Sequence, residues 1–305
     1  MDSALHIDHL TKSYGGTPAV DGLSLDVKRG EIFGLIGPNG AGKTTTVECA
    51  VGLRAPDVGT IRMLGLDPQA QGRRLRQRIG VQLQDAALPA RLTVREAAAL
   101  FAALYDNPAD PERLLATWGL ADQRDTAFAD LSGGQQQRLF ITLALINTPD
   151  LVVLDEISTG LDPEARRATR DLIRSIRERG TSVVLVTHFM DEAEALCDRV
   201  AMLVDGRLIA LDTPARLIET HAPAARVQFT APPDFEAGTL DALEAVTRIE
   251  RSNGRITAYG RGPLLARVAQ HLDAHGVTPP DLTHRPPTLD DVFSALAGSG
   301  PDDAA

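Results

Sequence analysis

The stretch Ile32-Phe33-Gly34-Leu35-Ile36-Gly37-Pro38-Asn39-Gly40-Ala41-Gly42-Lys43-Thr44-Thr45 decides the fold. An apolar run of the length of a buried strand passes directly into a glycine-rich turn, and the turn passes into a start suited to a helix. In that setting successive backbone N–H groups of the turn face a polyphosphate. Its glycines admit φ > 0 and close approach, and the helix beginning near Gly42 adds its positive end. Lys43 is expected to reach the β/γ-phosphates and the Thr44 hydroxyl to ligate Mg²⁺, with Gly37, Pro38, Asn39, Gly40, Ala41, Gly42 and Thr45 completing the cradle. A turn that merely joined strand to helix would not require Lys43 and Thr44 at its end.

Outward from this loop, residues 151–154 and 183–186 repeat the buried-strand texture, each followed by a helix-compatible segment. Strands alternating with helices predict a mainly parallel sheet covered on both faces. Residues 5–30 carry short alternating runs such as Leu23-Ser24-Leu25-Asp26-Val27 between glycines, which suits antiparallel strands. Residues 93–143 are rich in Ala and Leu at helical spacing and predict a helical insertion spanning about 85–145. The expected fold class is α/β: a parallel-sheet core with an antiparallel β subdomain and a helical insertion, plus a small α+β C-terminal domain.

After His221 the texture loosens around Pro223, Pro232 and Pro233, so the boundary is placed there, giving domains 1–221 and 222–297 and a flexible tail 298–305. The second domain reads as strand 226–230, helix near 239–245, strand 246–251, turn Asn253-Gly254, strand 255–260, helix 263–275 and strand 281–285, the order of a split βαβ unit. A terminal helix 289–296 follows, with Thr288 as cap and Val292, Phe293 and Leu296 facing inward.

The 305 residues are 43% apolar and carry a net charge of −10. That charge and a pI near 5.2 argue against broad, sequence-independent nucleic-acid binding. The main basic run, Arg73-Arg74-Leu75-Arg76-Gln77-Arg78, reads as a solvated helix face in preference to a partner site. No apolar segment approaches the roughly 18 residues of a membrane span, and Met1-Asp2-Ser3-Ala4-Leu5-His6 lacks a signal pattern. The expected location is cytoplasmic, free or bound peripherally. Cys49 and Cys197 have no metal-ligand spacing and read as reduced core residues.

Leu151-Val152-Val153-Leu154-Asp155-Glu156 is an apolar strand ending in two carboxylates, which calls for a charged partner. Mg²⁺ would supply it: Asp155 holding the metal through its water shell, Glu156 orienting and deprotonating the attacking water. Leu131-Ser132-Gly133-Gly134-Gln135 precedes a helical run and puts a hydroxyl and glycine amides at an anion-binding helix end. By itself a plain N-cap would explain it.

In order along the chain, the phosphate loop, Leu-Ser-Gly-Gly-Gln and the Asp-Glu strand resemble the ATP-binding-cassette (ABC) ATPase family over residues 5 to about 220. The resemblance implies that Tyr14 stacks on adenine and that Gln84 contacts Mg²⁺ and links the site to a membrane partner. Gln82 is a nearby competitor, and the assignment rests on Gln84 preceding Asp85 and the helical insertion. It implies further that Ser158-Thr159-Gly160-Leu161-Asp162 couples two ATP sites across a dimer, and that His188 contacts the γ-phosphate and supports Glu156. Two copies would pack head to tail, each ATP lying between residues 37–45 of one and Ser132, Gly133, Gly134 and Gln135 of the other. Where the family usually has proline after Asp-Glu, this chain has Ile157, which leaves φ less constrained; a modest loss of turnover is expected from it.

Within the family, Pro287-Thr288-Leu289-Asp290-Asp291-Val292-Phe293 resembles the C-terminal segment of bacterial drug-exporter ATPases, the daunorubicin-resistance-like branch. That implies two copies of this subunit working with separately encoded transmembrane permeases at the cytoplasmic face of the membrane. The helical region 93–120, with Gln84 at its entry, would form the groove for a permease helix. Translation-type members carry two cassettes in one chain, and chromosome or repair types separate loop and signature by long heptad segments; a single phosphate loop and no such segment disfavour both.

Overall fold

The computed structural model describes residues 3–84, 86–232, 235–252 and 254–298. Asp85, Pro233, Asn253 of the expected Asn253-Gly254 turn, and the tail beyond 298 lie outside the described residues. The chain divides into two compact units, Met1–Pro214 and Ala215–Ala305, a division that comes earlier than the boundary expected at 221.

The first unit opens with β1 (Ser3–Tyr14), β2 (Thr17–Lys28), β3 (Ile32–Ile36), α1 (Lys43–Ala50) and β4 (Val58–Met63). Strands β2, β1 and β4 form an antiparallel sheet in that order. Its alternation follows the sequence: Leu23, Leu25 and Val27 are buried while Ser24 faces solvent.

There follow α2 (Gly72–Arg76), β5 (Ile79–Gln82), α3 (Val94–Ala102), α4 (Pro111–Thr117) and α5 (Gly133–Ala144). Next come β6 (Leu151–Asp155), α6 (Pro163–Glu178), β7 (Ser182–Thr187), α7 (Met190–Leu196), β8 (Arg199–Val204) and β9 (Arg207–Asp212). The central sheet has the order β5-β6-β7-β3-β8-β9, parallel except for β9. Every residue of β3, β6 and β7 is buried, as continuous apolar runs require. Strand β3 lies between β7 and β8 and leads at its C-terminal end into α1, at the edge of the sheet where open α/β folds bind ligands.

The insertion has its own core, including Val94, Ala97, Leu115, Leu139 and Leu143. Thr93 starts α3 with a reciprocal capping box to Glu96. The basic run forms α2, with Leu75 buried and Arg73, Arg74 and Arg76 exposed, a solvated face. Cys49 and Cys197 are free thiols and both are buried, at 0% and 8% exposure. Burial pushes both thiols up from their ordinary pKa.

The second unit is entered through α8 (Pro214–His221) and contains β10 (Ala225–Thr230), β11 (Val246–Ser252), β12 (Arg255–Gly260), α9 (Leu264–Ala274), β13 (Thr283–Arg285) and α10 (Leu289–Gly298). The sheet order is β11-β12-β10-β13, all antiparallel, which realises the split unit read from the sequence. One element differs: the helix expected near 239–245 is a 3₁₀ segment, Ala237–Ala242, with no side-chain cap. Val227, Phe229, Ile256 and Ala258 pack against Leu264, Val268 and Leu272 of α9. Thr288 caps α10 through its hydroxyl, which accepts from the Asp291 N–H at 3.4 Å, while Leu289 and Val292 are buried. Phe293 and Leu296 are half-buried.

Candidate functional site

The loop after β3 is shaped by what its glycines touch. Gly37, Gly40 and Gly42 have φ of 153°, 84° and 92°. A Cβ on Gly37 would lie 2.3 Å from the Leu203 carbonyl oxygen, and one on Gly42 2.3 Å from that of Ala19. These two positions admit only glycine because backbone passes directly behind the loop. A Cβ on Gly40, an exposed residue, would meet nothing within 4 Å. Gly42 begins α1 in the left-handed region without a side-chain cap, and no acidic residue lies in the first turn. The helix thus presents its positive end and backbone donors with no anion supplied by its own sequence.

Lys43 is 4% exposed. Its ammonium donates to the carbonyls of Gly37 at 2.8 Å and Pro38 at 2.9 Å, folding the loop back over it. Burial lowers its pKa from the ordinary lysine value, against the pull of the Glu156 and Asp155 carboxylates. Asp155 is fully buried at the end of β6. The next residue, Glu156, takes φ of 50° in the left-handed region, which turns its side chain out of the strand line. Ile157, where proline is usual in the family it resembles, is 1% exposed.

Glu156 is where the elements converge. Its Oε1 lies 3.8 Å from Lys43 Nζ and 3.3 Å from His188 Nδ1, and its Oε2 accepts from the Gln84 amide at 3.2 Å. His188 follows β7 and lies against Phe189, ring centroids 4.1 Å apart. Between the two glutamines the geometry is plain. Gln82 is buried and accepts from Gln137 of α5 at 3.1 Å, whereas Gln84 is exposed and reaches Glu156. Thr44 and Gln84 line one cavity of about 380 Å³.

The residues suit Mg²⁺ with a polyphosphate. The Thr44 hydroxyl, the Gln84 amide oxygen and the Asp155 carboxylate are hard oxygen donors, and the uncapped start of α1 offers backbone N–H groups to phosphate oxygens. Among the described residues no cluster of three His, Cys, Asp or Glu is placed to hold a metal unaided.

Not every expected site residue joins this cluster. Ser132, Gly133, Gly134 and Gln135 line another pocket, of about 390 Å³, together with Gly160 and Asp162 and none of residues 37–45. Ser132 Oγ accepts from the Gln135 N–H at 3.3 Å, and Gln135 Oε1 accepts from the Ser132 N–H at 2.8 Å, a full capping box. Asp162 caps α6, accepting from the Ala165 N–H at 2.8 Å, with Pro163 in the first turn. Tyr14 is 42% exposed at the β1–β2 turn, with the Lys12 and Arg54 cations over its ring at 5.8 and 5.4 Å.

Sequence reasoning missed Glu192. It is 2% exposed, and its carboxylate accepts a hydrogen bond from the equally buried Ser158, tying the loop after Glu156 to α7 after His188. In Asp191-Glu192-Ala193-Glu194 it reads as one of several solvated acidic residues of a first helical turn. Nothing in the local sequence sets it apart from those neighbours.

Fold and loop geometry together define a phosphate-loop cassette. The sequence pattern of the family described as ABC transporter matches residues 20–159. The "Nod factor export ATP-binding protein I" of Paraburkholderia xenovorans is 39% identical over 304 residues, covering 97% of this chain and 98% of that protein. The protein of the same name in Ralstonia nicotianae is 38% identical, covering 96% of this chain and 94% of its own length. A solved "ATP binding subunit of ABC transporter" superposes with a TM-score of 0.65 at 29% identity, over 71% of this chain and 92% of that one. The chain belongs to the ABC transporter family of ATP-binding subunits. No helix among the described residues is long and apolar enough to cross a membrane.

Proposed function

We propose that this chain is the ATP-hydrolysing subunit of an exporter, closing as a head-to-tail dimer on ATP to drive separate membrane permease subunits from the cytoplasmic face of the membrane. The observation that carries the reading is the convergence of Lys43, His188 and Gln84 on the Glu156 carboxylate. The loop amides, Lys43 and Thr45 hold the phosphates, and Tyr14 stacks on the base. Thr44, Gln84 and Asp155 would hold Mg²⁺, which neutralises phosphate charge when bound. Glu156 takes the proton of the attacking water, and His188, 3.3 Å away, orients that carboxylate and meets the γ-phosphate. With nucleotide bound, the Lys43 ammonium exchanges its loop carbonyls for phosphate oxygens.

Ser132, Gly133, Gly134 and Gln135 of a second copy, with Asp162 beside them, cover the nucleotide of the first. Their separation from residues 37–45 within one chain supports this division of the site between two. Completion only on closure couples nucleotide binding to motion and excludes water.

The export direction is supported by the printed names of the relatives, which say export. The cargo we infer is a drug-like or otherwise hydrophobic compound, on the likeness of residues 287–293 to drug-exporter ATPases. A groove of about 590 Å³ supports permease docking. It runs along Leu53, Leu83, Leu104 and Tyr105 with Arg73 and Arg76 at its rim, and Leu53 and Leu104 are 60% and 63% exposed. It includes residues of α2 and of the segment after α3, so it extends beyond the 93–120 region read from the sequence.

The test is Glu156→Gln. Turnover is expected to fall about 100-fold or more with ATP binding kept. The variant, held with ATP and drawn from detergent-solubilised native membranes, should bring a polytopic membrane protein in near-equal amount. Normal turnover removes Glu156 from its role. Ribosomal or DNA-associated partners with no membrane protein overturn the transport reading.

A further inference from the structure

The second unit carries a sheet face that the cassette chemistry does not use. Val227, Ile249 and Ala258 turn toward the α9 core, so their strand neighbours point to the other face. There the register aligns one side chain per strand: Arg248 of β11 opposite Tyr259 of β12, Tyr259 opposite Arg226 of β10, and Arg226 opposite Arg285 of β13. This row lines a concavity of about 510 Å³ walled by Pro286 and Pro287, the size of a small-molecule site.

Like charges directly opposite on neighbouring strands repel, and Arg226 with Arg285 is such a pair. The anions nearby only partly offset them. Asp291 Oδ1 approaches Arg226 at 3.9 Å, while its Oδ2 is engaged by the Thr288 N–H and hydroxyl, both at 2.9 Å. Glu250 is committed to Arg248 at 3.1 Å and to the Tyr259 hydroxyl at 2.8 Å. Arg248 is further fixed over the Tyr259 ring at 4.2 Å. Arg285 has no anionic partner among the described residues. The basic groups are all arginine, whose planar fork is preorganised for bidentate contact with phosphate oxygens.

We propose that this face binds a phosphate-bearing ligand, Arg226 and Arg285 clamping the phosphate and Arg248 on Tyr259 closing the far side of the cavity. The phosphate belongs either to a free solute or to a lipid headgroup. A merely solvated basic face is the alternative. The site is independent of the nucleotide reading, and the experiment keeps the two apart.

Full-length chain saturated with Mg-ADP is titrated with inorganic pyrophosphate, and in parallel with phosphatidylcholine vesicles with and without phosphatidylglycerol. Wild type and Lys43→Ala should bind one of these anionic probes at least tenfold more tightly than Arg226→Gln/Arg285→Gln. Preference for pyrophosphate identifies a solute, and preference for the phosphatidylglycerol vesicles a headgroup. Equal binding by the double variant, or no binding of either probe to wild type, overturns the proposal. Loss in Lys43→Ala but not in the arginine variant moves the binding to the phosphate loop and overturns it as well. Should the double variant unfold, Arg285→Gln alone, an exposed position, is read in its place, with a loss of affinity expected and unchanged affinity overturning the site.

Discussion

Helices α1 and α5 both begin at a glycine-bearing polar segment, Gly42 just before α1 and Gly133 and Gly134 as the first residues of α5, and their ends are satisfied in opposite ways. At α1 the cap is Gly42, with no side chain to accept from the first N–H groups and no carboxylate in the first turn. At α5 Ser132 and Gln135 cap each other reciprocally. The glycines differ in the same sense. Gly37 and Gly42 are held by carbonyl oxygens directly behind them, whereas a Cβ on Gly133 would meet nothing within 4 Å. The first loop is therefore a finished receptor whose donors await an anion. The second is a stable helix start with an open surface, in which the Ser132 and Gln135 N–H groups are already engaged in the cap. On the reading proposed above, that difference is why one half of the site can hold nucleotide by itself and the other contributes only across a dimer.

The contrast can be broken at several points. The largest effect is expected from Gly42→Ala: left-handed strain plus a Cβ driven onto the Ala19 carbonyl should cost about 3 kcal/mol or more in denaturant unfolding. An unchanged midpoint would show that the loop does not depend on the backbone behind it. Gly40→Ala should be milder for the fold, about 1 kcal/mol of strain, since nothing lies behind its Cβ. Its methyl group intrudes where phosphate is expected, so ATP affinity measured by titration should drop about tenfold, a loss of about 1.4 kcal/mol. Equal ATP affinity would place the phosphates elsewhere.

Ser132→Ala should remove about 1 kcal/mol of stability through the lost cap and leave the ATP affinity of the monomeric chain unchanged. A fall in monomer affinity would mean that Ser132 reaches nucleotide within its own chain. The smallest effect is expected from Ile157→Pro, a rise in turnover of less than about tenfold through a firmer Glu156. Turnover unchanged or lowered would show that the buried Ile157 already fixes that residue as well as proline does.

The sequence was most legible where burial left no choice. Continuous apolar runs at β3, β6 and β7 could be nothing but inner strands, and the order of loop, signature and carboxylates along the chain was readable directly. Strand β9, the antiparallel edge, was harder because charged Arg207 and Asp212 bound it and none of its residues is fully buried. The 239–245 helix failed because Gly238 and Asp241 supply no helical apolar stripe and Glu236 provides no cap, so only a 3₁₀ turn forms beneath β11. At the site, residue types were legible but their meeting point was not. Lys43, Gln84, Glu156 and His188 follow four different strands, β3, β5, β6 and β7, and only the parallel strand order brings those strand ends to one edge. Glu192 stayed hidden because a buried carboxylate in an acidic helix start looks like its solvated neighbours.

The sealing of Cys49 and Cys197 gives the molecule a chemical silence that can be put to use. With both native sulfurs enclosed and held in the protonated form, a maleimide or bifunctional thiol reagent finds no target on the folded surface of the described residues. Single cysteines introduced at exposed Gly40 and Ser132 can then be joined without first stripping the chain of its own thiols. On the head-to-tail dimer proposed above, the distance between the two segments on opposite copies becomes something a gel band can report.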